Sequence, residues 1–100
     1  MNPQFADVHN VQQQEGTGIE FSPNPVTQGS CVATIVWPAP EVASYEVRDL
    51  LGKAVQTGTI RMFGGAEQER LSFHGLASGV YYFTVHGLHG TARAKLVIAH

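Results

Sequence analysis

Five histidines, one cysteine and eight carboxylic side chains are the residues of this 100-residue sequence suited to metal binding or acid–base chemistry. Their spacing argues against both. His86 and His89 bracket Gly87-Leu88 closely enough to chelate, but no third ligand accompanies them. His9 falls in the N-terminal tail, His74 at a turn and His100 at the terminus. A triad of Ser78, His86 and Asp49 can be drawn, yet no glycine pattern of a nucleophile elbow surrounds the serine. Cys31 is alone, which excludes an intrachain disulfide, and its place between Ser30 and Val32 at a strand start marks it as a small core residue. The residues read as a non-catalytic chain with no metal and no cofactor.

Charge and composition narrow the classes further. Six Lys+Arg against eight Asp+Glu give a formal net charge of -2, and the basic residues Arg48, Lys53, Arg61, Arg70, Arg93 and Lys95 are dispersed along the chain. That is no basic stripe for phosphates, so nucleic acid is not expected as a partner. With 43% apolar and 14% charged residues the chain is neither a solvating polymer nor a membrane-spanning one, and membrane insertion is not expected. Met1 to Asp7 lacks the basic and apolar regions of a secretory leader, so either the chain is not exported through this N-terminus or Met1 opens a piece of a longer protein.

Short alternating runs must position whatever function the chain has. Residues 1–18 are polar, with Gln12 to Gly18 the clearest linker, and residues 19–100 read as one all-β domain. Gly18 to Phe21 is a short strand ended by Ser22-Pro23-Asn24-Pro25. Cys31 to Trp37 follows, with Cys31, Ala33, Ile35 and Trp37 on one face, and Pro38 with Pro40 is expected to close it. Tyr45 to Leu50 alternates, turns at Asp49-Leu50-Leu51-Gly52, and resumes in Lys53 to Met62 as a hairpin. Phe63-Gly64-Gly65-Ala66 is expected to turn into a strand carrying Leu71 and Phe73. Gly79 to His86 and Thr91 to Ile98 complete the set, the latter with Ala92, Ala94, Leu96 and Ile98 inward and Arg93 and Lys95 outward. The expected fold is an immunoglobulin-like antiparallel β-sandwich of about seven strands.

The order of these pieces resembles the C-terminal sorting domain of type IX secretion cargo. Pro23-Asn24-Pro25 is similar to that family's opening motif; Asp49-Leu50-Leu51-Gly52-Lys53 to its central turn; Leu76-Ala77-Ser78-Gly79-Val80-Tyr81 to its Leu-x-x-Gly-x-Tyr strand; and Lys95-Leu96-Val97-Ile98 to its closing element. The resemblance implies an address tag fused to upstream cargo, with the type IX translocon, an outer-membrane shuttle barrel and a cysteine-peptidase transpeptidase as partners. It also implies a secreted or cell-surface destination and removal of the tag upstream of its folded body, for which Gly16, Thr17 and Gly18 are the expected region.

Beside the resemblance, each motif has a structural role of its own. Pro23 and Pro25 fix the path of the chain, Asp49 and Gly52 cap and turn the hairpin, and the Tyr81 hydroxyl ties back to a backbone group as corner tyrosines do. Arg93 and Lys95 guard the last strand against edge pairing or present it for docking, and an edge-paired homodimer is open on the same grounds. A second class of function is a binding or spacer module contacting carbohydrate. That reading needs at least two of Trp37, Tyr45, Tyr81 and Tyr82 exposed on one face.

Overall fold

A computed structural model describes residues 16–73 and 75–99, so His9, His74 and His100 and the linker residues before Gly16 lie outside the described residues. Among the described residues five strands follow one another without a helix: β1 (Gly18–Ser22), β2 (Ser30–Arg48), β3 (Ala54–Ser72), β4 (Gly79–Gly87) and β5 (Gly90–Ile98). They form one antiparallel sheet in the order β1-β2-β4-β5, with β3 also paired to β2.

Two of the strands run 19 residues each, so five continuous strands stand where about seven were expected. Pro38 and Pro40 do not end β2, and Gly64-Gly65 does not end β3. The register passes from Trp37↔Gly65 to Pro40↔Phe63, so Pro38 and Ala39 stand opposite the single residue Gly64. This is a bulge, where prolines lacking a ladder donor are tolerated. Gly64 and Gly65 have φ of 93° and 85°, a left-handed pair that bends β3 alongside the β2 bulge.

The shared bend folds the sheet over itself. The first half of β2 lies between β1 and the second half of β3; its second half lies between the first half of β3 and β4, with β5 outside β4. Alternation then fills the space between. Cys31, Ala33, Ile35 and Trp37 from one half of β2 are buried with Phe83, Val85, Ala92, Leu96 and Ile98 from β4 and β5. The Phe21 ring of β1 meets Phe83 edge-on with centroids 5.4 Å apart, and Tyr45 stacks on Phe83 at 5.0 Å. The shortest dimension, 23 Å, matches two layers about 10 Å apart with their outward side chains.

Candidate functional site

Strand direction gathers the four sequence motifs at one end of the folded body. β2 runs out into the Asp49–Lys53 turn, β4 starts beside it at Gly79, and β5 ends there at Ile98, as the pairs Arg48↔Tyr82, Tyr82↔Lys95 and Gly79↔Ile98 require. The opening motif arrives at the same end from β1. Val26 makes a parallel bridge with Ile98, its N–H donating to the Val97 carbonyl at 2.7 Å and its carbonyl accepting from Ala99 N–H at 2.8 Å. The Val97 N–H donates to Asn24 Oδ1 at 3.3 Å. Pro23 and Pro25, both following cis peptide bonds, flank that asparagine and are exposed. The opening and closing motifs thus form one clasp on the outer edge of β5.

Each motif residue can be placed. Asp49 Oδ1 accepts from Leu51 N–H at 2.9 Å and Lys53 N–H at 3.0 Å, Gly52 N–H donates to the Asp49 carbonyl, and Gly52 takes φ of 88°. This is the capped turn read from the sequence. The buried Tyr81 donates its hydroxyl to the Ala77 carbonyl at 2.6 Å, the expected corner. Gly79 is extended, and a Cβ there would touch only the Tyr81 ring at 3.8 Å. Of the closing residues, Leu96 and Ile98 are core at 0% and 1% exposure, so only Lys95, exposed, and Val97, half-buried, offer side chains to a partner.

At the opposite end the structure adjusts the linker. Gly18 belongs to β1 and pairs with Val36, and Thr17 Oγ1 donates to the Thr91 carbonyl at 3.4 Å. The folded body therefore begins before Ile19, and of the residues Gly16, Thr17 and Gly18 only Gly16 is exposed. The edge of β5 is contacted near both ends, by Thr17 and by the Val26 clasp, which limits main-chain pairing there.

Glu41 is the residue that sequence reasoning missed. Its carboxylate accepts from the indole N–H of buried Trp37 at 2.8 Å and from the Leu88 and His89 backbone N–H groups at 2.8 and 2.9 Å. The Trp37 hydrogen bond foremost, helped by the two backbone donors, holds its pKa below the usual carboxylate value. One side chain therefore satisfies a core tryptophan and fixes the β4–β5 turn. A Cβ on Gly87 would lie 2.6 Å from that carboxylate, which explains the glycine.

The chemical alternatives lose their geometry. Ser78 precedes β4 and His86 lies near its far end, about 26 Å away at the rise of a strand, so no triad with Asp49 assembles. Among the described residues no group of three His, Cys, Asp or Glu is placed to hold a metal ion. Cys31 is buried, and burial pushes its thiol pKa up against the opposing pull of Arg70. Trp37 and Tyr81 are buried, Tyr45 lies on Phe83, and only Tyr82, under the Arg93 guanidinium at 4.5 Å, faces outward. Of Trp37, Tyr45, Tyr81 and Tyr82, two are buried and two half-buried, so these four do not supply the two exposed rings on one face that a sugar platform needs.

Comparison with known proteins settles the family. Residues 21–99 match the family described as Secretion system C-terminal sorting domain. The chain belongs to this family. It is a C-terminal type IX sorting signal, and the matched span begins in β1 and ends one residue past β5. Among solved structures, the sorting domain is similar to the crystal structure of dimeric latent PorU from Porphyromonas gingivalis, with 18% identity and a TM-score of 0.58. The likeness covers 83% of this chain and 9% of the PorU chain, and at that identity it speaks for the fold. No curated protein sequence matches the chain.

Proposed function

We propose that the domain is a folded, non-enzymatic address tag, joined to upstream cargo and received at the outer membrane by the type IX translocon and its shuttle barrel. The observation that carries this reading is the family match across 79 residues, with all four of its motifs brought to one end of the fold. A cysteine-peptidase transpeptidase would then remove the tag, and the cargo would be secreted or held at the cell surface. The pinned Thr17 and the strand residue Gly18 favour a cut at or before Gly16, because a protease needs an extended, unpaired segment. Counted separately, the halves of β2 and β3 with the other three strands give seven segments, which supports reading the architecture as an immunoglobulin-like sandwich.

The recognition element in this reading is the clasped end, with Lys95 as its exposed charge and Val97 beside it. A reporter with a cleavable periplasmic leader, fused upstream of the chain in a bacterium with a type IX system, tests it. Secretion of the fusion, and periplasmic retention of the reporter alone, is the expected result. Equal secretion of both overturns it.

A further inference from the structure

Five of the six basic residues, far apart in sequence, meet on one surface. In the register across β2, β4 and β5, Arg48, Tyr82 and Lys95 form one row and Glu46, Thr84 and Arg93 the next. Arg61 lies on the same outward face of β3, opposite Val42, and Lys53 is in the adjoining turn. Arg48, Arg61, Arg93 and Lys95 are exposed. Among the described residues the carboxylates on or bordering this surface are engaged: Glu46 with Arg48 at 2.6 Å, Asp49 with two backbone N–H groups of its turn, and Glu41 at the far end with Trp37 and the Leu88 and His89 N–H groups. On the outward face of the other layer Glu20 stands opposite Thr34 and Arg70 opposite Val32, one charge of each sign, whereas Glu67 and Glu69 pair with the inward-facing Ile35 and Ala33. A chain of net charge -2 therefore has one cationic face, with its opposite layer balanced in charge.

An apolar knob stands at the rim of the cationic face. Leu50 is 66% and Leu51 95% exposed at the apex of the Asp49–Lys53 turn. That turn is held by four hydrogen bonds within it and by Arg48 on the Gly52 carbonyl. Between the apex and β4–β5 lies a shallow depression of about 430 Å³, lined in part by Leu50, Gly52, Tyr82 and Arg93. A flexible leucine loop would need no such bracing. A rigid apolar apex costs little ordering entropy when it enters a pocket, which is how interface anchors act.

We infer that the cationic face and the Leu50–Leu51 apex form one docking surface for a folded protein partner that offers an apolar pocket rimmed by carboxylates. The inference rests on the sorting function and adds the surface through which it works. A protein fits better than a polysaccharide, because an anionic glycan could satisfy the arginines but has nothing to receive two bare leucines. Cations at the rim steer the encounter, and the apex supplies the buried contact.

The test is the secreted fraction of the same reporter fusion, with each variant first shown to melt with the parent. Leu51→Asp and the double substitution Arg61→Glu, Arg93→Glu are each expected to lower secretion about tenfold, the loss of one anchor or of complementary charge. Glu20→Lys, on the other layer, leaves secretion unchanged. Where a variant melts early, Leu51→Ser or Arg61→Gln takes its place. Secretion within about twofold of the parent for both surface variants overturns the inference while the sorting role stands. An equal loss from Glu20→Lys overturns it as well, by removing the preference for one face. Secretion of the reporter lacking residues 16–100 removes the sorting role itself.

Discussion

Removing Lys95 to His100 deletes the closing motif, and the structure predicts that it also unfolds the domain. Leu96 and Ile98 are exposed by 0% and 1%, so their loss forfeits about 3–6 kcal/mol of apolar burial, at about 1.5–3 kcal/mol for each side chain. The Val26 clasp contributes three hydrogen bonds with Val97 and Ala99, worth about 3 kcal/mol together. The pairing of Lys95 to Ile98 with Tyr82 to Gly79 goes as well. The total is comparable with the whole stability of a domain this size, about 5–15 kcal/mol. Lys95→Glu touches none of this, since the side chain is exposed, and should change stability by no more than about 0.5 kcal/mol. Urea denaturation followed by Trp37 fluorescence, which reports burial of the single tryptophan, separates the two. The truncated chain is expected to show no cooperative transition, and Lys95→Glu to unfold with the parent. A truncated chain that unfolds cooperatively near the parental midpoint refutes the packing account. A truncation therefore does not identify Lys95 as a contact for the translocon; the charge reversal, scored for secretion, does.

Other perturbations address single interactions. Tyr81→Phe keeps the buried ring and removes the hydrogen bond to the Ala77 carbonyl, which should cost about 1 kcal/mol and lower Tm by about 4–8 °C; calorimetry checks it. Glu41 has a pKa held below the ordinary carboxylate value, so its contribution to the β4–β5 turn is present above that value and lost as pH falls through the lowered one. Hydrogen exchange at the Leu88 and His89 amides should accelerate over that acid range relative to the turn at Asp49, and Glu41→Gln should abolish the step. Gly87→Ala places a methyl group 2.6 Å from the Glu41 carboxylate and should loosen the same amides at neutral pH. Acrylamide should barely quench Trp37, which is 1% exposed, and ready quenching would reopen the carbohydrate reading.

Local chemistry was legible in the sequence and long-range chemistry was not. Alternation placed Leu96 and Ile98 inward and Lys95 outward because a strand has a period of two whatever its neighbours are. The Asp49 cap and the Tyr81 corner span four residues each and carry their own signals. Pro38, Pro40 and Gly64-Gly65 misled because breakers end a strand only when its partner lacks a matching irregularity, and here the β2 bulge and the β3 bend answer each other. Glu41 had no signal at all, since two of its donors lie 47 and 48 residues away. The basic residues looked dispersed for the same reason: Arg61 and Arg93 share a face only after β2, β3, β4 and β5 are aligned.

The clasp between Val26 and the end of β5 makes the tag a record of synthesis carried through Ile98. The exit of the first strand and the end of β5 hold one another, and Leu96 and Ile98 of that strand are part of the core. A chain stopped anywhere before Ile98 lacks the strand that Val26 grips, so it presents an open, unfinished core where the finished end should be. A receptor that requires the closed end would thereby pass over every prematurely terminated cargo without inspecting the cargo itself.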